Sequence, residues 1–175
     1  MTFIIALFLG ENFSREGIVP GVEKPSFRIG VVMQRKSLQN RWVDFAWEPW
    51  SVLPGFPDGE PRLLVEEAGV LQRLHPGFTL LLHRDEAESY YLNVSASEPR
   101  VFVLWRMEGE QALPLEVTVS SEEAGRWLDG GHSVDGVAMP LEVYAWVGEY
   151  VEKNYRPEPK KRIKPRSFKH PKDRV

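Results

Sequence analysis

The residue types best suited to chemistry in this chain are its clustered acids and histidines. Asp44 and Glu48 stand in a tryptophan-rich stretch, Arg41 to Trp50, which holds three of the six tryptophans. Two carboxylates work as a hydrolytic pair when they lie about 5–9.5 Å apart. In a strand Asp44 and Glu48 share a face but stand four residues apart, roughly 13 Å at about 3.3 Å per residue. That spacing excludes an ordinary two-carboxylate hydrolase and leaves a wet or partner-facing edge. Glu66-Glu67 is a further acid pair with no partner motif. His83, Asp85 and Glu86 have metal-ligand chemistry but read as a solvated turn at a strand end. The four histidines, His75, His83, His132 and His170, show no ligand spacing with one another. His132, Ser133 and Asp135 lie in a glycine-rich stretch whose glycines are explained by a helix stop and a turn.

Several function classes lack their motifs. There is no cysteine, so disulfides, thiolate metal sites and a cysteine nucleophile are excluded. That composition fits a cytoplasmic protein. No glycine-rich phosphate loop and no G-x-S-x-G elbow occurs. The reading is therefore no catalytic residue, no metal ligand and no cofactor.

The charge pattern points to partners. Residues 156–175 carry nine Lys or Arg against two acids, a net +7, whereas residues 1–155 carry 13 against 23, a net −10. An acidic body with a basic tail suggests capture of an acidic protein surface, or of phosphates. The candidates in the tail are Lys160, Lys161, Arg162, Lys164 and Arg166. Four prolines, Pro157, Pro159, Pro165 and Pro171, oppose helix there. Phe168 is the one aromatic in the tail, and the acidic body repels a nucleic-acid backbone, so nucleic acid is disfavoured.

These residues need elements to hold them. A period of two over the tryptophan stretch puts Val43, Phe45 and Trp47 on one face and Trp42, Asp44, Ala46, Glu48 and Trp50 on the other. The second face is either covered by a later helix or is a binding face. Trp42, Asp44, Glu48 and Trp50 are its candidate partner-binding residues. Pro49 suggests an edge or a bulge. Before it, Phe27, Ile29, Val31 and Met33 alternate as a first strand. Ala68-Gly69 turns a hairpin in Leu63–Leu74, with a helix broken at Gly69 as the alternative. Pro76-Gly77 reads as a turn, Phe78–Arg84 as a strand, and Tyr90, Leu92 and Val94 as a strand. Val101–Met107 is apolar on both faces and reads as a central strand, followed by Leu115–Val119.

The period then changes. Ser120 and Glu123 form a capping box for a helix bearing Ala124, Trp127 and Leu128, which Gly130 ends in a left-handed conformation. Asp129–Gly136 reads as a flexible loop. A second helix starts at Pro140 and carries Val143, Val147 and Val151. It is the natural cover for Trp42 and Trp50. The expected class is α+β: a mainly antiparallel sheet or partly closed barrel, then two C-terminal helices and a basic tail. The length suits one globular domain over 26–156. Residues 1–25 form a poorly structured leader or an added strand, and residues 157–175 the tail. The apolar run Phe3–Leu9 is too short to span a bilayer.

Val31–Arg35, Arg41–Pro54, Leu81–Val94, Pro99–Arg106, Val117–Ser120 with Glu123-Ala124, and Met139 through Trp146-Val147 to Arg162 together resemble a bacterial family of unknown function. Its members are encoded beside formate dehydrogenase and other molybdenum-enzyme genes. Some are labelled molybdopterin-guanine dinucleotide biosynthesis proteins. The resemblance implies a non-enzymatic accessory protein that binds another protein and assists maturation of a molybdenum-dependent oxidoreductase. This chain lacks the nucleotide loop and the alternating strand–helix pattern of a nucleotidyl transferase. The alternative is a small-ligand or nucleotide-binding protein with a pocket lined by Trp42, Trp50 and Trp146. Weaker still is nonspecific nucleic-acid binding through the tail.

Overall fold

The alternation of Ile29, Val31 and Met33 sets the first strand, β1 (Ser26–Ser37). In the computed structural model, which describes residues 24–39, 44–56 and 58–157, those three side chains enter the core. Gly30, Val32 and Gln34 point to the opposite face, yet they are buried as well. β1 pairs antiparallel with β2 (Phe45–Pro54) on one side and with β4 (Val70–Leu81) on the other. β3 (Arg62–Glu67) pairs with β4, so the first sheet runs β2-β1-β4-β3.

Helix α1 (Ala87–Val94) leads to the second sheet, in which β5 (Arg100–Glu108) lies between β6 (Gln111–Thr118) and β7 (Ser133–Ala138). Helix α2 (Ser121–Asp129) joins β6 to β7, and α3 (Leu141–Asn154) follows β7. β2 lies against β7, and β4 against β6. The class is α+β, two mainly antiparallel sheets with three helices among the described residues, and the sheets do not close into a barrel.

One apolar cluster joins both sheets to α3. Val143, Val147 and Val151, four residues apart, bring one helical stripe into it. Trp146 stacks beside Phe27, with ring centroids 5.2 Å apart. Trp47 enters the same cluster from β2, and its indole N–H donates to the Glu110 carbonyl at 2.9 Å. That bond ties the edge of the first sheet to the β5–β6 turn.

Several expectations hold. Phe45 and Trp47 share the core side of β2, whereas Val43 lies outside the described residues, and Pro49 sits at a bulge in an edge strand. Val101–Met107 is the centre of the second sheet. The hairpin turns at Ala68 (φ 47°) and Gly69 (φ 83°), the paired positive φ values of a two-residue turn whose twist suits its strands. Ser120 caps α2 by accepting from the Glu123 N–H at 3.1 Å.

Other expectations fail for local reasons. Tyr90, Leu92 and Val94 lie in α1, because Ala87, Tyr90, Tyr91 and Val94 also fit a helical face. Asn93 fixes the helix there: its side chain donates to the carbonyls of Arg100 (2.8 Å) and Val119 (2.7 Å), and accepts from the Arg100 N–H. Pro76-Gly77 does not turn the chain; it lies inside β4 where the register with β1 shifts. The expected loop Asp129–Gly136 contains most of β7, where Gly136 leaves room for the Phe102 ring. Gly130 is right-handed, and the left-handed residue is Gly131. Among the described residues there are three α-helices, two of them between strands rather than after them.

Candidate functional site

The outer face of the first sheet carries the sequence candidates that fall within the described residues. Its layout follows from register. Leu53 lies opposite Gly30; Ser51 lies opposite Val32, which lies opposite Leu74, which lies opposite Arg62. The next row is Glu48, Gln34, Gln72 and Val65, and the row after that is Ala46, Lys36, Val70 and Glu67. Ser51 pairs with Val32 and Pro49 with Met33, so Trp50 is the extra residue of a bulge.

That bulge changes which side chains face inward. Trp47 and Pro49 are buried, then Val52 is buried, and the parity between them is broken at Trp50. Without the extra residue Ser51 would enter the core in place of Val52. Trp50 is left 54% exposed. The expectation that α3 covers it is therefore incorrect. Helix α3 covers the opposite side, where Phe27 and Tyr90 lie.

A polar row runs beside the tryptophan. The Gln72 amide donates to Gln34 Oε1 at 2.7 Å, and the Gln34 amide donates to Glu48 Oε1 at 3.3 Å. Lys36 Nζ stands 2.6 Å from the same Glu48 oxygen. Glu48 is thus a positioned acceptor rather than a free acid. Asp44 is exposed, and its backbone carbonyl accepts from the Leu38 N–H at 2.9 Å. No bond joins it to Glu48.

An apolar row lies beyond. Val32 and Leu74 are nearly inaccessible although they face away from the core. Phe56 approaches here because Gly30 has no side chain: an added Cβ would stand 2.7 Å from Leu74 Cδ1 and 3.3 Å from Phe56. The Arg62 guanidinium lies over the Phe56 ring, 5.8 Å from its centroid. The sequence offered a signal for this face in the positions alternate to the core set, Gly30, Val32 and Gln34. Read only as the other side of a strand, they give no hint of the ladder.

Trp42, Lys160, Lys161, Arg162, Lys164 and Arg166 lie outside the described residues. Trp146 and Trp50 do not share a pocket. Trp146 instead lines a cleft of about 630 Å³ between the residues after β4 and α3, with Leu82, His83, Arg84, Asp85 and Tyr150 among its walls. Burial raises the Tyr150 hydroxyl above its ordinary pKa; Arg84 opposes that and Asp85 adds to it. Glu149 and Lys153 form an ion pair at 2.6 Å on its helical wall.

The cluster His83, Asp85 and Glu86 is divided. His83 and Asp85 line that cleft, whereas Glu86 accepts from Ser120 Oγ and from Arg126. Among the described residues no group of histidines and acids is arranged to hold a metal. Asp135 accepts from the Trp105 indole N–H at 2.7 Å, a tie across β5 and β7. Tyr90 receives the His83 backbone N–H at 3.1 Å, and burial pushes its hydroxyl up to about 12.

The protein family described as "Protein of unknown function (DUF3305)" matches residues 28–164. The chain belongs to that family. No curated protein and no solved structure matches it. The DUF3305 match spans both sheets and all three helices, so the outer face and the Trp146 cleft both lie within it. No helix among the described residues of this DUF3305 protein is long and apolar enough to cross a membrane.

Proposed function

We propose that this chain is a non-enzymatic accessory protein that acts by binding another protein, with Trp50 as the anchor. The observation that carries the reading is Trp50 itself, a large aromatic held out of the core by a bulge on an edge strand. Indole side chains dominate protein interfaces because they bury much area at little entropic cost. Glu48, fixed by Gln34 and Lys36, supplies an oriented polar contact beside it. Asp44, which is exposed, is a further candidate contact, and Lys160, Lys161, Arg162, Lys164 and Arg166 are proposed as partner contacts on their charge alone.

In this proposal the partner is a molybdenum-dependent oxidoreductase such as formate dehydrogenase, bound in the cytoplasm during maturation; the resemblance to proteins encoded beside molybdenum-enzyme genes supports that choice. The test is a binding titration of the full chain against purified formate dehydrogenase. We expect saturable binding that Trp50→Ala weakens at least about 10-fold, the range for an interface anchor. Absence of binding by the wild-type chain, or equal binding by the variant, refutes the reading. A second reading, capture of a small aromatic ligand, is favoured by the Trp146 cleft, whose size suits such ligands. Trp146→Phe would weaken that activity and leave the Trp50 contact intact.

A further inference from the structure

The other edge of the first sheet is built differently. All six residues of β3, Arg62–Glu67, are exposed. Three of them are large and apolar: Leu63 is 50% exposed, Leu64 47% and Val65 37%. Among the described residues β3 pairs only with β4, so its second edge has no strand against it. An apolar strand with an open edge is a template for another strand. Globular proteins ordinarily blunt such an edge with lysines, prolines, bulges or inward charges; β3 has a bulge at Leu64 and the charge of Glu66, yet its centre, Leu63, Leu64 and Val65, is apolar.

We propose that β3 is a self-association edge, pairing antiparallel with β3 of a second copy of this chain about a two-fold axis. The sequence of the strand is complementary to itself in that arrangement. With the axis between Leu64 and Val65, Arg62 of each copy lies opposite Glu67 of the other. Leu63 then lies opposite Glu66, and Leu64 opposite Val65. Opposite charges directly across an antiparallel pair attract, and apolar pairs at the centre exclude water. A two-fold contact makes each pair occur twice.

The register of the strand permits this pairing, which an uninterrupted strand would not. Opposed residues in a continuous sheet must share a face. Arg62 and Glu67 are five apart, so strict alternation would place them on opposite faces. The bulge in β3 removes that conflict. Arg62 pairs with Leu74, Leu63 with Arg73, Val65 with Gln72 and Glu67 with Val70, which leaves Leu64 as the extra residue. Arg62, Val65 and Glu67 therefore face outward, while Leu63 and Glu66, opposite Arg73 and Leu71, face inward. Leu64 and Val65 together oppose Gln72. The order of faces reads the same from either end.

The dimer adds one eight-stranded sheet across two copies and lies at the far edge from Trp50, so it leaves that surface open. A contact limited to one short strand is at the weak end of specific interfaces. Sedimentation of the full chain from about 1 to 100 µM should therefore show the mass rising from 20.1 kDa toward twice that value. Arg62→Glu alone and Glu67→Arg alone should each raise the dissociation constant at least about 10-fold. The double variant Arg62→Glu/Glu67→Arg restores the opposed charges and should return to within about 3-fold of wild type. Leu64→Lys, at an exposed bulge position, should abolish the dimer without unfolding the chain. A wild-type chain that stays monomeric throughout the range overturns the proposal. So does a dimer insensitive to Leu64→Lys, or a double variant as weak as either single one.

Discussion

β2 and β3 are the two edges of one sheet, and each contains a bulge, yet the bulges serve opposite ends. In β2 the extra residue keeps the core in register. It lets both Trp47 and Val52 point inward, and it ejects only Trp50. The strand is also held from beyond its own sheet, by the Trp47–Glu110 hydrogen bond and by its contact with β7. In β3 the extra residue secures no core contact, because every residue of the strand is exposed. An edge so anchored needs no partner to be stable, whereas an edge held by one neighbour is available to another chain. The difference separates the side chains that the fold requires from those that it leaves free.

The largest expected effect tests the anchored side. Trp47→Ala removes a buried indole from the cluster shared by both sheets, and leaves the Glu110 carbonyl without its donor. A cost of about 3–5 kcal/mol is expected in urea unfolding, as for other buried Trp truncations. A loss under about 1 kcal/mol would mean that β2 is not the anchored edge, and the contrast with β3 would fail.

This contrast was partly legible in the sequence. Phe45 and Trp47 on the core side, the break at Pro49 and the hairpin at Ala68-Gly69 follow from alternation and turn chemistry. The capping Ser120 and the α3 stripe follow from the change of period. The residues between Ala87 and Val94 did not resolve, because their aromatic and apolar positions satisfy periods of two and of 3.6 alike. Long-range bonds from Asn93 to Arg100 and Val119 decide between them, and no local pattern encodes those. β7 was missed because Ser133, Asp135 and Gly136 look like loop residues, yet β5 supplies the partner strand. The site is half legible. Alternation points to Glu48 and Trp50, but the bulge that leaves Trp50 exposed depends on the register of β2 with β1.

The next effect concerns the side where β3 leans on β4. His75 lies on β4 opposite Val31, next to the Leu74 that pairs with Arg62. It is buried, and its Nε2 has no hydrogen-bond partner. Burial first, and then Arg73, lowers its pKa from 6.5 to about 4. Between those values the unfolded chain binds the proton and the folded chain does not. The contribution is therefore fully present above about 6.5, declines as the pH falls, and is lost near 4. At about 1.4 kcal/mol for each pH unit between the two values, it amounts to about 3 kcal/mol at most. In urea unfolding, the stability of wild type relative to His75→Leu should fall by up to that amount between pH 7 and pH 4. A constant difference over that range would show that His75 titrates normally.

The smallest effect is the sharpest test of what β2 leaves free. Trp50 is more than half exposed, so truncating it removes little area from the protein interior. Trp50→Ala should cost about 1 kcal/mol or less, at roughly 25 cal/mol for each Å² of apolar surface returned to water. It leaves Val32, Gln34 and Glu48 in their register, because bulge pairing is a backbone property and alanine tolerates an extended strand. The same substitution is expected to weaken partner binding at least about 10-fold. A stable variant with lost binding separates the two tryptophans, one serving the fold and the other the surface. A loss of stability comparable to that of Trp47→Ala would instead place both in the fold, and the binding defect would then follow from unfolding rather than from a missing contact.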